Sequence, residues 1–185
     1  NLLATVEPGV TNLSISDHVK KLGLYYAPDP SSQIACTIGG NVAENSGGVH
    51  CLKYGLTVHN VRKLKIISPQ GELYEVGSEA FDSAGFDLLA LLHGSEGMLG
   101  IVVEVTVKLL PTPQAICVVM AGFGAVSDAA STVGAIIAAG ILPAGLEMMD
   151  QPATRAAEAF VNAGYPTDAH ALLLCELDGI EAEIE

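Results

Sequence analysis

No tryptophan occurs in the 185 residues, and bases are scarce: eight Lys and Arg face 21 Asp and Glu, for a formal net charge of −13. A chain so poor in cations cannot neutralise a run of phosphates, which argues against nucleic acid as a partner. The four cysteines, Cys36, Cys51, Cys117 and Cys175, form no C-x-x-C pair, so no zinc site is predicted. They read as isolated buried thiols of a reduced cytosol. The five histidines, His18, His50, His59, His93 and His170, lack H-x-x-x-H and H-x-H spacing, which removes the other common metal signature. One run, residues 129–146 (AASTVGAIIAAGILPAGL), carries no charge. It only just reaches bilayer length and is interrupted by Pro143 and three glycines, so it predicts a buried helix followed by a strand rather than a membrane span.

Half of the residues are apolar, enough for a real core. Charge is unevenly spread: residues 1–111 hold 11 acids and 7 bases, residues 112–185 hold 10 acids and 1 base. The change coincides with Pro111-Thr112-Pro113, a stiff connector, and a domain boundary is predicted there. The chain opens on Asn in mid-element and closes on an acidic run, Asp178 to Glu185, which reads as a solvated end of a piece of something longer.

Hydrophobic patterning predicts a strand over residues 2–7 and a helix over 12–22, capped by Thr11 or Ser14 and stopped at Gly23. A hairpin is predicted over 61–67 and 72–76 around Ser68-Pro69-Gln70-Gly71, then a helix over 86–92 and a strand over 101–110. Past the boundary the order is strand 115–121, helix 127–139, strand 144–149, helix 152–163, strand 170–177. That suggests a small, incomplete α/β sandwich.

Three loops remain: PDPSS within the loop 25–33, TIGGNVAENSGG over 37–48, and HGSEGMLG over 93–100. An ordered glycine costs roughly 0.5–1 kcal/mol relative to alanine, so the doublets Gly39-Gly40 and Gly47-Gly48 need a reason. Either tight turns demand them, or backbone must come close to something flat or phosphorylated. No Walker A lysine follows these glycines, and G-S-E-G-M-L-G does not space like the dinucleotide turn G-x-G-x-x-G. Plainer readings are available for single residues. Cys36 is small filler, His50 and His59 are satisfied loop histidines, His93 caps a helix end that favours a positive side chain, and Glu147 and Asp150 are structural.

PDPSSQIACTIGGNVAENSGGVHCLKYGLTVHNV, followed by HGSEGMLGIVVEVTVKLLPTPQ, resembles the FAD-linked oxidases of the vanillyl-alcohol oxidase type, and most of all their 2-hydroxyacid dehydrogenase branch. The likeness runs from Val6 to Gln114 and is looser beyond, where GLEMMD (145–150) is the best anchor. Met98 and Val103 stand where many members carry Thr. The resemblance implies an α+β fold. Residues 1–111 would be the second subdomain of a two-subdomain FAD-binding domain, an antiparallel-rich sheet with flanking helices. Residues 112–185 would be the first part of an α/β sandwich cap domain. The first FAD subdomain and the end of the cap, with its catalytic and metal-binding residues, would lie outside this chain.

On the same resemblance Pro28, Asp29, Ser31, Ser32, Gly39, Gly40, Asn45, Ser46, Gly47 and Gly48 lie along the flavin ring and ribityl chain. Glu96, Gly97, Gly100 and Ile101 present backbone toward the ribityl and adenosine portion. The four paired glycines would let main chain reach the ring, with Ser31, Ser32, Asn45 and Ser46 as short donors. The implied reaction is oxidation of glycolate or another small 2-hydroxy acid, D-lactate or D-2-hydroxyglutarate, by hydride transfer to FAD. Electrons would pass to partner subunits, so that a cytoplasmic protein sits peripherally at the inner membrane. No catalytic or metal-binding residue is assigned. Taken alone, the chain would be a non-catalytic module that does not hold FAD and associates with itself through bare apolar faces.

Overall fold

Residues 2–80 and 85–184 are described by this computed structural model. Two units divide the chain, Asn1–Thr112 and Pro113–Glu185, and each is built around antiparallel strands.

The first unit runs β1 (Leu3–Val6), α1 (Asn12–Val19), β2 (Leu24–Tyr25), α2 (Ile38–Glu44), α3 (Cys51–Tyr54), α4 (Thr57–Asn60), β3 (Val61–Ile67), β4 (Leu73–Gly77), α5 (Leu88–Leu92), β5 (Ile101–Lys108) and β6 (Leu110–Pro111). A four-stranded sheet takes the order β1-β5-β3-β4, and β2 pairs with β6. The sequence of β5 alternates, with Val105 and Val107 fully buried and Glu104 meeting Lys65 of β3 at 2.7 Å, but Thr106 between the valines is buried as well, its Oγ1 3.0 Å from Thr5 Oγ1 of β1. The β3–β4 turn follows its chemistry, with Gly71 at φ 83 and its amide donating to the Ser68 carbonyl at 2.9 Å. Ile15 and Val19 of α1, Ile38 and Val42 of α2, and Leu92 of α5 form one core cluster with Leu64, Ile66, Val105 and Val107 of the sheet.

The second unit runs β7 (Ala115–Phe123), α6 (Val126–Ala138), β8 (Gly145–Asp150), α7 (Gln151–Val161), β9 (Ala171–Gly179) and α8 (Glu181–Ile184). Its sheet takes the order β7-β9-β8, so the last strand enters between the first two. Leu172, Leu173 and Ala171 of that central strand are buried, with Ala129 and Ala144.

Three expectations change. Residues 37–48 do not form one glycine-rich loop, because Ile38–Glu44 is helical. Two glycines cost that helix about 1 kcal/mol each, but burying Ile38 and Val42 returns roughly 1.5–3 kcal/mol apiece, so packing overrides propensity. The charge-free run yields α6, yet only Ala129 of that helix is buried, so it is not the buried helix its composition predicts. No described helix is long and apolar enough to cross a membrane. Of the four thiols only Cys175 is buried; Cys117 is exposed and Cys36 and Cys51 are half-buried.

Candidate functional site

The first turn of α2 is stitched to the segment that follows β1. Gly39 N–H donates to the Pro8 carbonyl and Ile38 N–H to the Val10 carbonyl, both at 2.9 Å, and Asn12 N–H donates to the Cys36 carbonyl at 3.0 Å. Gly40 N–H donates to Oγ1 of the cap residue Thr37 at 3.3 Å. The other end of α2 carries the GSEG segment. Gly94 N–H donates to the Val42 carbonyl and Glu96 N–H to the Ala43 carbonyl, both at 3.0 Å. Those bonds require a chain reversal, and Gly94, Glu96 and Gly97 all hold positive φ, at 74, 52 and 75.

Between these segments lies an open cleft of about 380 Å³. Pro8 and Gly9 line it from the first segment, and Thr37, Gly39, Gly40, Val42 and Ala43 from α2. Leu92, Ser95, Gly97, Gly100, Ile101 and Val102 complete it. The lining is main chain, apolar side chain and two hydroxyls, without Lys, Arg or His. Such a wall suits an uncharged planar or polyol surface and gives a phosphate no counter-charge.

Of the residues singled out from sequence, the cleft unites Gly39, Gly40, Gly97, Gly100 and Ile101. Glu96 is exposed between two of its lining residues. Pro28 is buried, and its carbonyl accepts from Asn12 Nδ2 at 2.8 Å. Asp29 Oδ2 lies 2.6 Å from His50 Nδ1. Ser31 and Ser32 stand exposed on a turn whose Ser32 carbonyl accepts from Ala35 and Cys36. Asn45 ends α2 at φ 52, and its Oδ1 accepts from Val58 N–H at 3.0 Å, which caps α4. The Ser46 carbonyl accepts from Thr57 N–H and Oγ1.

At three of these glycines the chain's own packing supplies a further reason. A Cβ on Gly39 would stand 2.7 Å from Pro8 Cβ, on Gly47 2.6 Å from Leu56 Cδ2, and on Gly48 2.4 Å from the Asp29 carbonyl oxygen. The rigid Pro8 and the Asp29 backbone leave no room at Gly39 and Gly48, whereas the end of the Leu56 side chain can move aside at Gly47. Gly9, in the turn that follows β1, is the reverse case: its φ is not positive and no atom lies within 4 Å of an added Cβ. Thr37, Ser95 and Leu92 were missed, because hydroxyl and leucine positions carry no local signal of a cleft.

His93 holds the helix-capping place read from the sequence, but its burial works against the positive charge favoured there. It caps α5, with Nδ1 donating to the Leu89 carbonyl at 2.6 Å. Burial nevertheless pulls its pKa below the ordinary value, outweighing the Leu89 bond, which disfavours the charged ring. Among the described residues no cluster of three or more metal-ligating side chains occurs.

In the first unit, antiparallel strands with packed helices thus frame a glycine-walled cleft without charge. Two family models fit the chain in series: "FAD binding domain" over residues 1–77 and "FAD linked oxidases, C-terminal domain" over residues 112–185. The chain belongs to the FAD-linked oxidases. It is 63% identical over 182 residues to glycolate oxidase subunit GlcD of Escherichia coli K12, covering 98% of this chain and 36% of that protein. Identity is 48% over 180 residues to GlcD of Bacillus subtilis, covering 97% of this chain and 38% of that one. It is 34% over 190 residues to a D-lactate dehydrogenase of Anaerostipes hadrus, covering 99% and 40%. A solved alkyldihydroxyacetonephosphate synthase shares the fold, with TM-score 0.83 at 22% identity over 98% of this chain and 36% of its own. The chain thus spans less than half the length of these relatives.

Proposed function

We propose that this chain is part of a flavin-dependent 2-hydroxyacid dehydrogenase of the glycolate oxidase subunit type. Residues 1–111 serve as part of its FAD domain and residues 112–185 as the first part of its substrate cap. The observation that carries the reading is the uncharged cleft, which lies partly within the segment that the FAD-binding family model matches. Gly9 supports the fit: nothing in the fold requires glycine there, whereas a group passing close to the backbone would.

In this reading Gly9, Gly40 and Gly97 let the cofactor approach main chain, and the hydroxyls of Thr37 and Ser95 bond its polar edge. Val42, Leu92, Ile101 and Val102 exclude water from that contact. Pro28, Asp29, Ser31, Ser32, Asn45, Ser46, Gly47, Gly48 and Glu96 shape the neighbouring loops. FAD bound there supplies the acceptor for the hydride that leaves the substrate α-carbon. The substrate is glycolate or another small 2-hydroxy acid, which leaves as the 2-oxo acid, and electrons pass on to partner subunits. The identity to proteins named as glycolate oxidase subunits supports this choice over the D-lactate branch.

The test is anaerobic mixing of the full-length, FAD-loaded protein with glycolate and with D-lactate. Bleaching of the flavin bands, faster with glycolate, is the expected result. Bands unchanged by every 2-hydroxy acid tried would overturn the reading.

A further inference from the structure

We propose that Asn12 and Asn41 are positioning residues for the flavin cleft, joined in a buried amide relay that sets the first turn of α2 against the Pro8-Gly9 turn and the Pro28 loop. The proposal rests on the flavin reading above. Asn41 Nδ2 donates to Asn12 Oδ1 at 2.8 Å, and Asn12 Nδ2 donates to the Pro28 carbonyl at 2.8 Å. Both side chains are all but inaccessible, at 1% exposure for Asn12 and 2% for Asn41.

Amides are a poor choice if these positions only fill space. Apolar side chains of similar shape at both positions would hold the core about as well, because two amides give up water bonds before they make each other's. What an amide pair adds is direction. Apolar packing tolerates sliding, whereas a donor and an acceptor 2.8 Å apart fix one register. The helix α2 needs that register more than most, having seven residues and two glycines.

The relay also sits where register matters for a ligand. Gly40 and Val42, on either side of Asn41, line the cleft, and so do Pro8 and Gly9, just before Asn12. At its far end the relay holds Pro28, and the next residue, Asp29, is fixed by His50 at 2.6 Å. A slip of α2 along the 8–12 segment would break the Gly39–Pro8 and Ile38–Val10 bonds together and change the cleft wall.

Two measurements test this. In the 185-residue chain, Asn41→Asp keeps the shape but removes the donor. Amide hydrogen exchange at Gly39 and Gly40 should quicken at least tenfold, while the β3–β4 hairpin keeps its protection. Equal acceleration along the whole chain would mark a merely structural residue and overturn the proposal. In the full-length apoprotein, FAD affinity is titrated for the wild type, Asn12→Asp, and the double variant Asn12→Leu with Asn41→Leu. Asn12→Asp should weaken FAD tenfold or more at a temperature where circular dichroism shows it folded. The double variant should regain the melting temperature but not the affinity, and wild-type affinity in it sinks the relay. If the wild type itself takes up no FAD, the flavin reading fails and the relay with it. If the wild type binds and the variants bind equally, only the relay fails. Should Asn41→Asp not fold, Asn12→Asp and the double variant still decide.

Discussion

A Cβ added at Gly48 would stand 2.4 Å from the Asp29 carbonyl oxygen, whereas one added at Gly9 meets nothing within 4 Å. Gly48→Ala is therefore expected to destabilise the first unit by about 2 kcal/mol or more, read from the urea midpoint. Gly9→Ala should leave stability unchanged or raise it by about 0.4–1 kcal/mol, since alanine restricts the unfolded chain. In the full-length protein the same Gly9→Ala should weaken FAD. Equal stability loss in both variants would contradict this contrast. His93 gives a pH dependence at the same scale. Burial lowers its folded pKa below the ordinary 6.5; the Leu89 carbonyl and then Asp87 oppose the shift, and His59 adds to it. The unfolded chain takes up this proton as pH falls through about 6.5, and the folded chain does so only at lower pH. Stability is thus full above that value and declines below it. Melting temperatures between pH 8 and 5 should show the decline, and His93→Gln should flatten it.

Among the elements, short helices are held by caps and by what they pack on. Asp150 ends β8 and its Oδ1 accepts from Ala153 N–H at 2.9 Å, which opens α7. Asp150→Ala should cost the second unit about 1 kcal/mol in urea denaturation, and an unchanged midpoint would show that the cap contributes nothing. Asn45 does two jobs, closing α2 in a left-handed conformation and capping α4 with its side chain. Strand β7 is the element least like a finished part. It forms one edge of its sheet, pairs with β9 over nine residues without a register shift, and carries no charge. Ile116, Val118, Val119 and Met120 along it are exposed. Edges of this kind are ordinarily blunted by lysine, proline or a bulge.

For the molecule as a whole, that edge predicts concentration-dependent association of the 185-residue chain in sedimentation velocity. Val119→Lys should return it to monomer; a wild type that stays monomeric at high concentration would refute the expectation. Cofactor retention belongs to this scale too. A net hydrogen bond contributes about 1 kcal/mol, and micromolar binding needs about 8 kcal/mol. The cleft lining has no cation for the pyrophosphate, and the Gly39 and Gly40 amides are already bonded within the chain. The chain alone should therefore purify colourless, and stoichiometric yellow flavin surviving desalting would refute that.

Most strands and the longer helices were legible in the sequence because they rest on local periodicity and turn chemistry, as in the alternation of Ile101–Lys108 or the Gly71 turn. The ordered motifs were enough to recognise the family. What the residues could not reveal was which partner each glycine faces. Gly39, Gly47 and Gly48 are held by Pro8, Leu56 and Asp29, contacts that exist only once distant segments meet. Helix α2 and the burial of Asn12 against Asn41 were hidden for the same reason: packing across 29 positions of sequence overrode the local preference of a glycine-rich stretch for loop. Composition and periodicity determined most of the elements and the ordered motifs marked the family, while long-range contact alone decided which backbone is spent on the fold and which is left open.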